Sequence, residues 1–252
     1  MCFGRGDVVS DKEHLVIYPV INKENRNSRK VLHECVSPYL THTYNMVIHL
    51  VQGGVLAILF LVLIENPLTT LIYFKILPVF LLICLLWHSY LVHDQYIAQR
   101  ARIIDTLAPL ALGLFECLLI LSIPKSVFEY ALFFTIIPFI GIFAYICPYT
   151  AYRDPDTLEL YKEHFKEQGE DFAVTLHSEL KRFDKYAVFM MTIVFFIFCT
   201  ITAFIYYFNI SEDFKTYFAT ISFTLIIIFL LYTNMDYFLN HSKKLQKFGY
   251  RW

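Results

Sequence analysis

The chain has 252 residues and a formal net charge of −1; hydrophobic residues make up 57% of it and charged residues only 17%. Soluble globular proteins have about a quarter of their residues charged, and the mean hydropathy of +0.52 also excludes an ordinary soluble domain. A net charge near zero provides no basic field for nucleic acid. We therefore expect a protein of the lipid bilayer with no nucleic-acid partner.

Residues 1–44 form a polar arm, and we predict no cleavable signal peptide because no basic flank precedes an apolar core there. Four of the six cysteines lie inside later apolar runs and none has a metal-ligand spacing, which favours reduced, buried thiols.

Six apolar runs reach or approach the roughly 20 residues that a membrane-spanning helix needs. Too little polar sequence remains to cover them as soluble helices, so we predict an all-α, polytopic membrane protein with six transmembrane helices in three hairpins. The predicted spans are Asn45–Ile64, Leu71–Val92, Ile104–Ile123, Val127–Tyr149, Tyr186–Phe208 and Thr216–Phe238.

Eighteen of the 21 Lys and Arg residues lie in alternate connecting segments, and the other three segments hold one lysine each. Because positively charged loops stay in the cytoplasm, both termini are predicted to be cytoplasmic. The chain is therefore divided into an N-terminal arm (1–44), four spans (45–149), a cytoplasmic helical hairpin (150–185), two spans (186–238) and a basic tail (239–252).

The hairpin at 150–185 is predicted from helix signals. Asp154-Pro155-Asp156 is a typical helix start and Gly169 a typical stop. A second helix from about Glu170 has an apolar stripe of Phe172, Leu176, Leu180 and Phe183. This apolar face must pack against another surface. The candidates are the partner helix of the hairpin, the lipid headgroup region, or another protein bound at 157–183.

Glu116 is the most informative residue, because its carboxyl is predicted to lie about 16 Å inside a hydrocarbon core about 30 Å thick. An ionised acid there costs at least about 2.5 kcal/mol, so it must be neutral, paired or in contact with water. One interpretation is a proton or cation site in a transport pathway. The other is a neutral carboxyl bonded to Thr200, Thr202 or Thr224 at similar depth.

A second group of polar residues gathers at the predicted cytoplasmic ends of the spans, where they would form a shared vestibule. A metal site is not expected, because His88 and His93 lie about 140° apart around a helix, whereas chelating pairs are spaced by three or four residues. No cofactor is expected either. The group comprises His49, Gln52, His88, His93, Asp94, Asp105, Tyr145, Asn234, Asp236 and His241.

Asp105 also suits the N-cap of the third span, with Pro109 in its first turn. Arg100 and Arg102 are explained most simply as topology determinants beside anionic headgroups. They would otherwise form gating ion pairs with Asp94 or Asp236.

Gly53-Gly54 in the first span predicts close helix packing, or alternatively a kink or an ion-facing break in the backbone. Because the chain has only eight glycines and 25 phenylalanines, most helix interfaces must use large side chains.

These observations favour a small channel or transporter, a homo-oligomer whose proton or cation pathway passes Glu116 and opens into the cytoplasmic vestibule. One alternative is an intramembrane enzyme acting on a lipid or lipid-linked substrate, with His88, His93 and Asp94 as acid and base. The other is a membrane-anchored effector or scaffold that acts through its 150–185 segment.

Overall fold

The protein is described by a computed structural model. It describes the backbone of residues 28–66, 69–94, 103–153 and 155–246, and the side chains of residues 46–66, 69–89, 107–153, 157–163, 165–237, 239–240 and 243. The described part of the chain is all-α and contains seven helices. They are α1 (Ser28–Glu65), α2 (Thr70–Asp94), α3 (Ile103–Ser122), α4 (Val127–Ala151), α5 (Pro155–His164), α6 (Glu170–Tyr207) and α7 (Glu212–Gln246).

Local signals explain where two of the helices begin. The Ser126 side chain accepts a hydrogen bond from the Glu129 backbone N–H at 3.2 Å, which satisfies one of the free donors at the start of α4. Gly169 precedes α6 with a φ of 97°, a left-handed conformation that glycine adopts without a steric penalty. The predicted restart after Gly169 is therefore confirmed, whereas the predicted stop there is wrong, because α5 ends at His164 and turn residues 165–168 lie between the two helices.

Among the described residues, five helices are long and apolar enough to cross a bilayer, and Leu107–Ser122 is a shorter apolar helix. Only 28% to 39% of the residues in the five long segments are buried inside the protein. Most of their apolar side chains therefore face outwards, where lipid must cover them. The chain is a multi-pass integral membrane protein.

The six long helices form a closed ring. Helices α1, α3, α4 and α6 lie side by side in that order, and α2 packs on α7. Contacts of α2 with α1 and of α7 with α6 close the ring. We call the end of the bundle that carries α5 the α5 end. The end that carries Asn66 and the connections at 123–126 and 208–211 is called the opposite end.

Aromatic rings fill the core between α4, α6 and α7. The Phe134 and Phe223 rings are stacked with centroids 4.4 Å apart, and the Phe198 ring meets Phe223 edge-on at 4.7 Å. All three side chains are buried. The expectation that large side chains form most interfaces is confirmed here.

Helix α6 is one continuous helix of 38 residues, so the predicted second hairpin helix and the fifth span are parts of the same helix. At 1.5 Å per residue its length is about 57 Å, whereas the hydrocarbon core is about 30 Å thick. Its first part, which packs against α5, therefore extends beyond the membrane at the α5 end.

Candidate functional site

A buried pair of polar side chains joins α1 to α3 in the middle of the bundle. Gln52 Nε2 donates a hydrogen bond to Glu116 Oε2 at 3.0 Å. Both residues are only 1% exposed. The buried acid expected from the sequence is thus enclosed between two helices and bonded to an amide.

The pair leaves two oxygen atoms unused. Gln52 Oε1 and Glu116 Oε1 are both buried and have no hydrogen-bond partner among the described residues. A buried acceptor without a donor is unfavourable, so this position attracts a proton or another positive group. A proton on Glu116 Oε1 would turn that atom into a hydrogen-bond donor. The amide oxygen of Gln52 is an acceptor that lacks such a donor.

Gly113 allows α1 and α3 to approach each other beside this pair. A Cβ atom placed on Gly113 would overlap Val51 Cγ1, and Val51 directly precedes Gln52. Glycine therefore lets the two backbones come close enough for a short amide to reach the carboxyl.

The threonines proposed as partners of Glu116 bond elsewhere. Thr202 bonds with the Thr135 hydroxyl at 2.9 Å. Thr200 donates to the Phe196 carbonyl at 2.9 Å and Thr224 to the Thr220 carbonyl at 2.7 Å. The prediction that one of them pairs with Glu116 is wrong, because Gln52 on α1 occupies that place.

Gly53-Gly54 does not mediate close packing within the chain. Both residues are exposed, and a Cβ atom on either would meet nothing within 4 Å. The close-packing interpretation is therefore wrong for this glycine pair within the described residues and holds instead for Gly113.

Part of the predicted vestibule does come together at the α5 end. Asn234 Nδ2 on α7 donates to Ser89 Oγ on α2 at 3.2 Å, and the Tyr145 hydroxyl on α4 hydrogen-bonds with Ser89. Tyr145 and Asn234 were in the predicted group, whereas Ser89, which joins them, was not. A half-buried serine in a run of Leu and Trp residues gives little signal in the sequence.

The histidines of the predicted group lie near α1 and α2. His49 is exposed, and its ring contacts the Trp87 ring edge-on at a centroid distance of 6.5 Å. His88 is half-buried. His49 on α1 therefore lies beside Trp87, which directly precedes His88 on α2.

Of the remaining predicted residues, the structure describes the side chain of Asp236 and the backbone position of Asp105. Asp236 is exposed and accepts a hydrogen bond from Asn240 at 3.2 Å. Helix α3 begins at Ile103, so Asp105 lies within the first turn and not at the predicted N-cap. Residues or side chains that lie outside the described part of the chain are Arg100, Arg102, His93, Asp94, Asp105 and His241.

Lys75 makes buried contacts that were not predicted from the sequence, where it was one of the three lysines assigned to the short connecting segments. It lies inside α2, is 6% exposed, and its Nζ donates to the carbonyls of Ile123 at 3.0 Å and Lys125 at 2.9 Å. The Tyr130 hydroxyl donates to the Lys75 carbonyl at 2.8 Å. Lys75 thus caps the carbonyl end of α3 and ties it to α2 and α4.

Asp184 is a second buried group, and its burial was not predicted from the sequence. It is 0% exposed and lies on α6 near the α5 end. Asp184 lies four residues after Leu180, on the same helix face as the apolar stripe. This spacing could have predicted its burial.

The apolar stripe of the hairpin is covered by α5. Phe172, Leu176 and Leu180 form one buried cluster with Tyr161 and Phe165. The His177 ring packs edge-on against the rings of Tyr152 and Tyr161 at 5.3 and 5.4 Å. Burial, with a smaller contribution from the charge on Lys181, lowers the pKa of His177 from its ordinary value, so a neutral imidazole is favoured in this cluster.

No known protein family matches the chain, and no curated protein or solved structure is significantly similar to it. Function must therefore be argued from the residues themselves.

Proposed function

We propose that this protein is a small channel or transporter for protons or small cations whose pathway passes Glu116. The observation that carries the proposal is the buried Glu116–Gln52 pair, whose two remaining acceptor oxygens have no donor within the part of the chain that the structure describes. A carboxylate and an amide carbonyl are oxygen ligands that suit a proton or a hard cation. Acids at mid-membrane depth are rare without such a role, because an ionised side chain there is costly.

The proposed topology has six spans with both termini in the cytoplasm. Helix α3 has 20 residues, which supports its assignment as the third span although its apolar part is shorter. Eighteen of the 21 Lys and Arg residues lie on one side in this arrangement, in accord with the positive-inside rule. The α5 end is then cytoplasmic.

The protein is further proposed to act as a homo-oligomer. The exposed Gly53-Gly54 surface of α1 supports this, because it has open space around it and allows another helix to approach closely. Mass measurement of the protein in detergent micelles tests the assembly, and a monomer at all protein concentrations would contradict it.

Flux through reconstituted liposomes tests the role of Glu116. Protein is reconstituted under imposed proton, sodium and potassium gradients, and Glu116→Gln is compared with the unmodified chain. A Gln side chain at position 116 can still accept the hydrogen bond from Gln52, so folding is expected to persist. It cannot exchange a proton or carry a negative charge, so flux is expected to fall to the level of protein-free liposomes.

Glu129→Gln is the matched control. Glu129 lies in the first turn of α4, half exposed, with Lys125 Nζ 3.8 Å away, so its substitution is expected to leave flux unchanged. Unchanged flux in Glu116→Gln would assign Glu116 a purely structural role as a neutral carboxyl. Absence of flux in the unmodified protein for all three cations would overturn the proposal.

Neither alternative function has comparable support among the described residues. The enzyme hypothesis depends on His88, His93 and Asp94, and the side chains of His93 and Asp94 lie outside the described part. The effector hypothesis started from an exposed apolar stripe, and α5 covers most of that stripe.

A further inference from the structure

The Glu116–Gln52 pair has hydrocarbon beside it on both helices that hold it. Residues three or four positions away along a helix share its face. The buried residues at these positions on α1 and α3 have no oxygen in their side chains; they are Ile48, Val55, Leu112, Gly113, Leu119 and Ile120. These two helix faces therefore offer a ligand no buried side-chain oxygen beyond those of the pair itself.

A metal cation would have too few ligands at this pair. Glu116 Oε1 and Gln52 Oε1 have no partner among the described residues, and Glu116 Oε2 already accepts a hydrogen bond. Hard divalent cations take about six or more oxygen ligands, and potassium filters replace the hydration shell of the ion with rings of carbonyl oxygens. The few oxygens of one carboxyl and one amide cannot replace the hydration shell of an alkali ion.

A single proton satisfies both unpartnered oxygens. Placed on Glu116 Oε1, it makes that atom a donor, and Gln52 Oε1 is the matching acceptor. The last torsion of Glu and Gln side chains is broad, so the two planar groups can turn to form this second bond while Nε2 keeps its bond to Oε2 at 3.0 Å. The neutral acid and the amide then form a ring closed by two hydrogen bonds.

No charged group offers an alternative to the proton. Among the described residues, no charged side chain of any helix acts on the Glu116 carboxyl. The titratable groups nearest along the two helices are Cys117, on which the charge of Glu116 acts, and His49, whose exposed ring lies against Trp87 of α2. An ionised carboxyl at this depth is costly, so uptake of a proton is the available way to remove its charge.

We propose that the ligand of the Glu116–Gln52 pair, and hence the transported species, is the proton and not an alkali cation. The inference rests on the proposed function, because it names the substrate of the same site. Uptake takes one proton from water, places it between Glu116 Oε1 and Gln52 Oε1, and removes the negative charge of the carboxylate. Release returns the proton to water and leaves the single bond from Nε2 to Oε2.

Infrared difference spectroscopy of the purified full chain in detergent micelles measures this proton directly. The C=O stretch of a protonated carboxyl is separate from the bands of a carboxylate, and it is recorded from acidic to alkaline pH in H₂O and in D₂O. We expect a band that grows as the pH falls and that shifts in D₂O. A band of constant size at every pH, or no band at any pH, would overturn the inference, because the carboxyl would then not exchange a proton.

Glu116→Gln assigns the band. This variant has no carboxyl at position 116, so the pH-dependent band is expected to disappear. Asp184→Asn is the matched control, because Asp184 is the other acid that is buried among the described residues, and its removal is expected to leave the band in place. A pH-dependent band that persists in Glu116→Gln would overturn the inference.

Gln52→Leu tests the partner of the proton-carrying group. Loss of the Nε2 donor frees the C=O oxygen of the protonated acid, so the stretching frequency of the Glu116 band is expected to rise. Thr135→Val is the control, since it removes a different buried interhelical bond, the one to Thr202 at 2.9 Å, and is expected to leave the frequency unchanged. An unchanged frequency in Gln52→Leu would contradict the two-bond ring.

Alkali cations are tested at one pH at which the band is half-developed. Sodium or potassium chloride replaces N-methylglucamine chloride at fixed ionic strength, and the size of the band is expected to stay the same. A saturable loss of the band would show that the cation displaces the proton, which would overturn the inference and leave the proposed function with a cation as its substrate. A band that titrates in a protein without liposome flux would uphold the proton site and remove only its role in transport.

Discussion

Several buried polar side chains in this bundle bond groups on other helices. Gln52 bonds Glu116 across α1 and α3, and Thr135 bonds Thr202 across α4 and α6. Lipid offers no hydrogen bonds, so a polar group that leaves water must find its partner inside the protein. Each pair thereby fixes which faces of two helices meet.

Lys75 provides a test of this principle at the scale of one residue. Lys75→Met removes the donor that serves the Ile123 and Lys125 carbonyls while keeping much of the side-chain volume. Two carbonyls then lack a partner, and the free energy of unfolding is expected to fall by about 1–3 kcal/mol. Equilibrium unfolding in mixed micelles measures this change.

Lys125→Met is the control for the lysine experiment. The Lys125 side chain is 60% exposed and its only ion pair, among the described residues, is with Glu129 at 3.8 Å. Exposed pairs of this kind contribute about 0–1 kcal/mol, so little change is expected. Equal losses in the two variants would show that the Lys75 contacts do not stabilise α3.

At the scale of elements, a single glycine determines the distance between α1 and α3. Gly113 faces Val51 with no space for a Cβ atom, whereas Gly54 on α1 has open space around it. The same residue type therefore has two different roles in neighbouring helices.

Alanine substitutions separate those roles. Gly113→Ala must push α1 away from α3 and is expected to lower the free energy of unfolding by about 1–3 kcal/mol. Gly54→Ala meets nothing within the chain and is expected to be neutral or to stabilise α1 by up to about 1 kcal/mol. Unfolding in mixed micelles compares them, and a larger loss in Gly54→Ala would contradict the packing described here.

At the scale of the whole molecule, the number of spans determines the sides on which the termini lie. With six spans both termini lie on the same side, whereas with five, if α3 did not cross, they would lie on opposite sides. Single cysteines at Ser10, Ser211 and Ser242 in a cysteine-free chain distinguish the two arrangements.

A membrane-impermeant maleimide applied to intact cells is expected to label Ser211→Cys at once. The Ser10→Cys and Ser242→Cys variants are expected to react only after the membrane is permeabilised. Labelling of one terminus but not the other in intact cells would rule out six spans.

The sequence by itself determined the class of protein, the long apolar helices and the hairpin with its stripe. Hydropathy and helical period can be read from a short stretch of sequence. A run of apolar residues is driven out of water whichever other helices it contacts. Glu116 could also be identified from the sequence, because the free-energy cost of an ionised carboxyl in the membrane depends on its depth.

Only the tertiary structure decided that Gln52 is the partner of Glu116, that Gly113 and not Gly53-Gly54 packs closely, and that Lys75 and Asp184 are buried. The spans are apolar on nearly every face, because the lipid around them is as apolar as the protein interior. Sequence periodicity therefore carries little information about which face of each span turns inward. That rotation follows from packing and from a few interhelical hydrogen bonds between residues far apart in the chain.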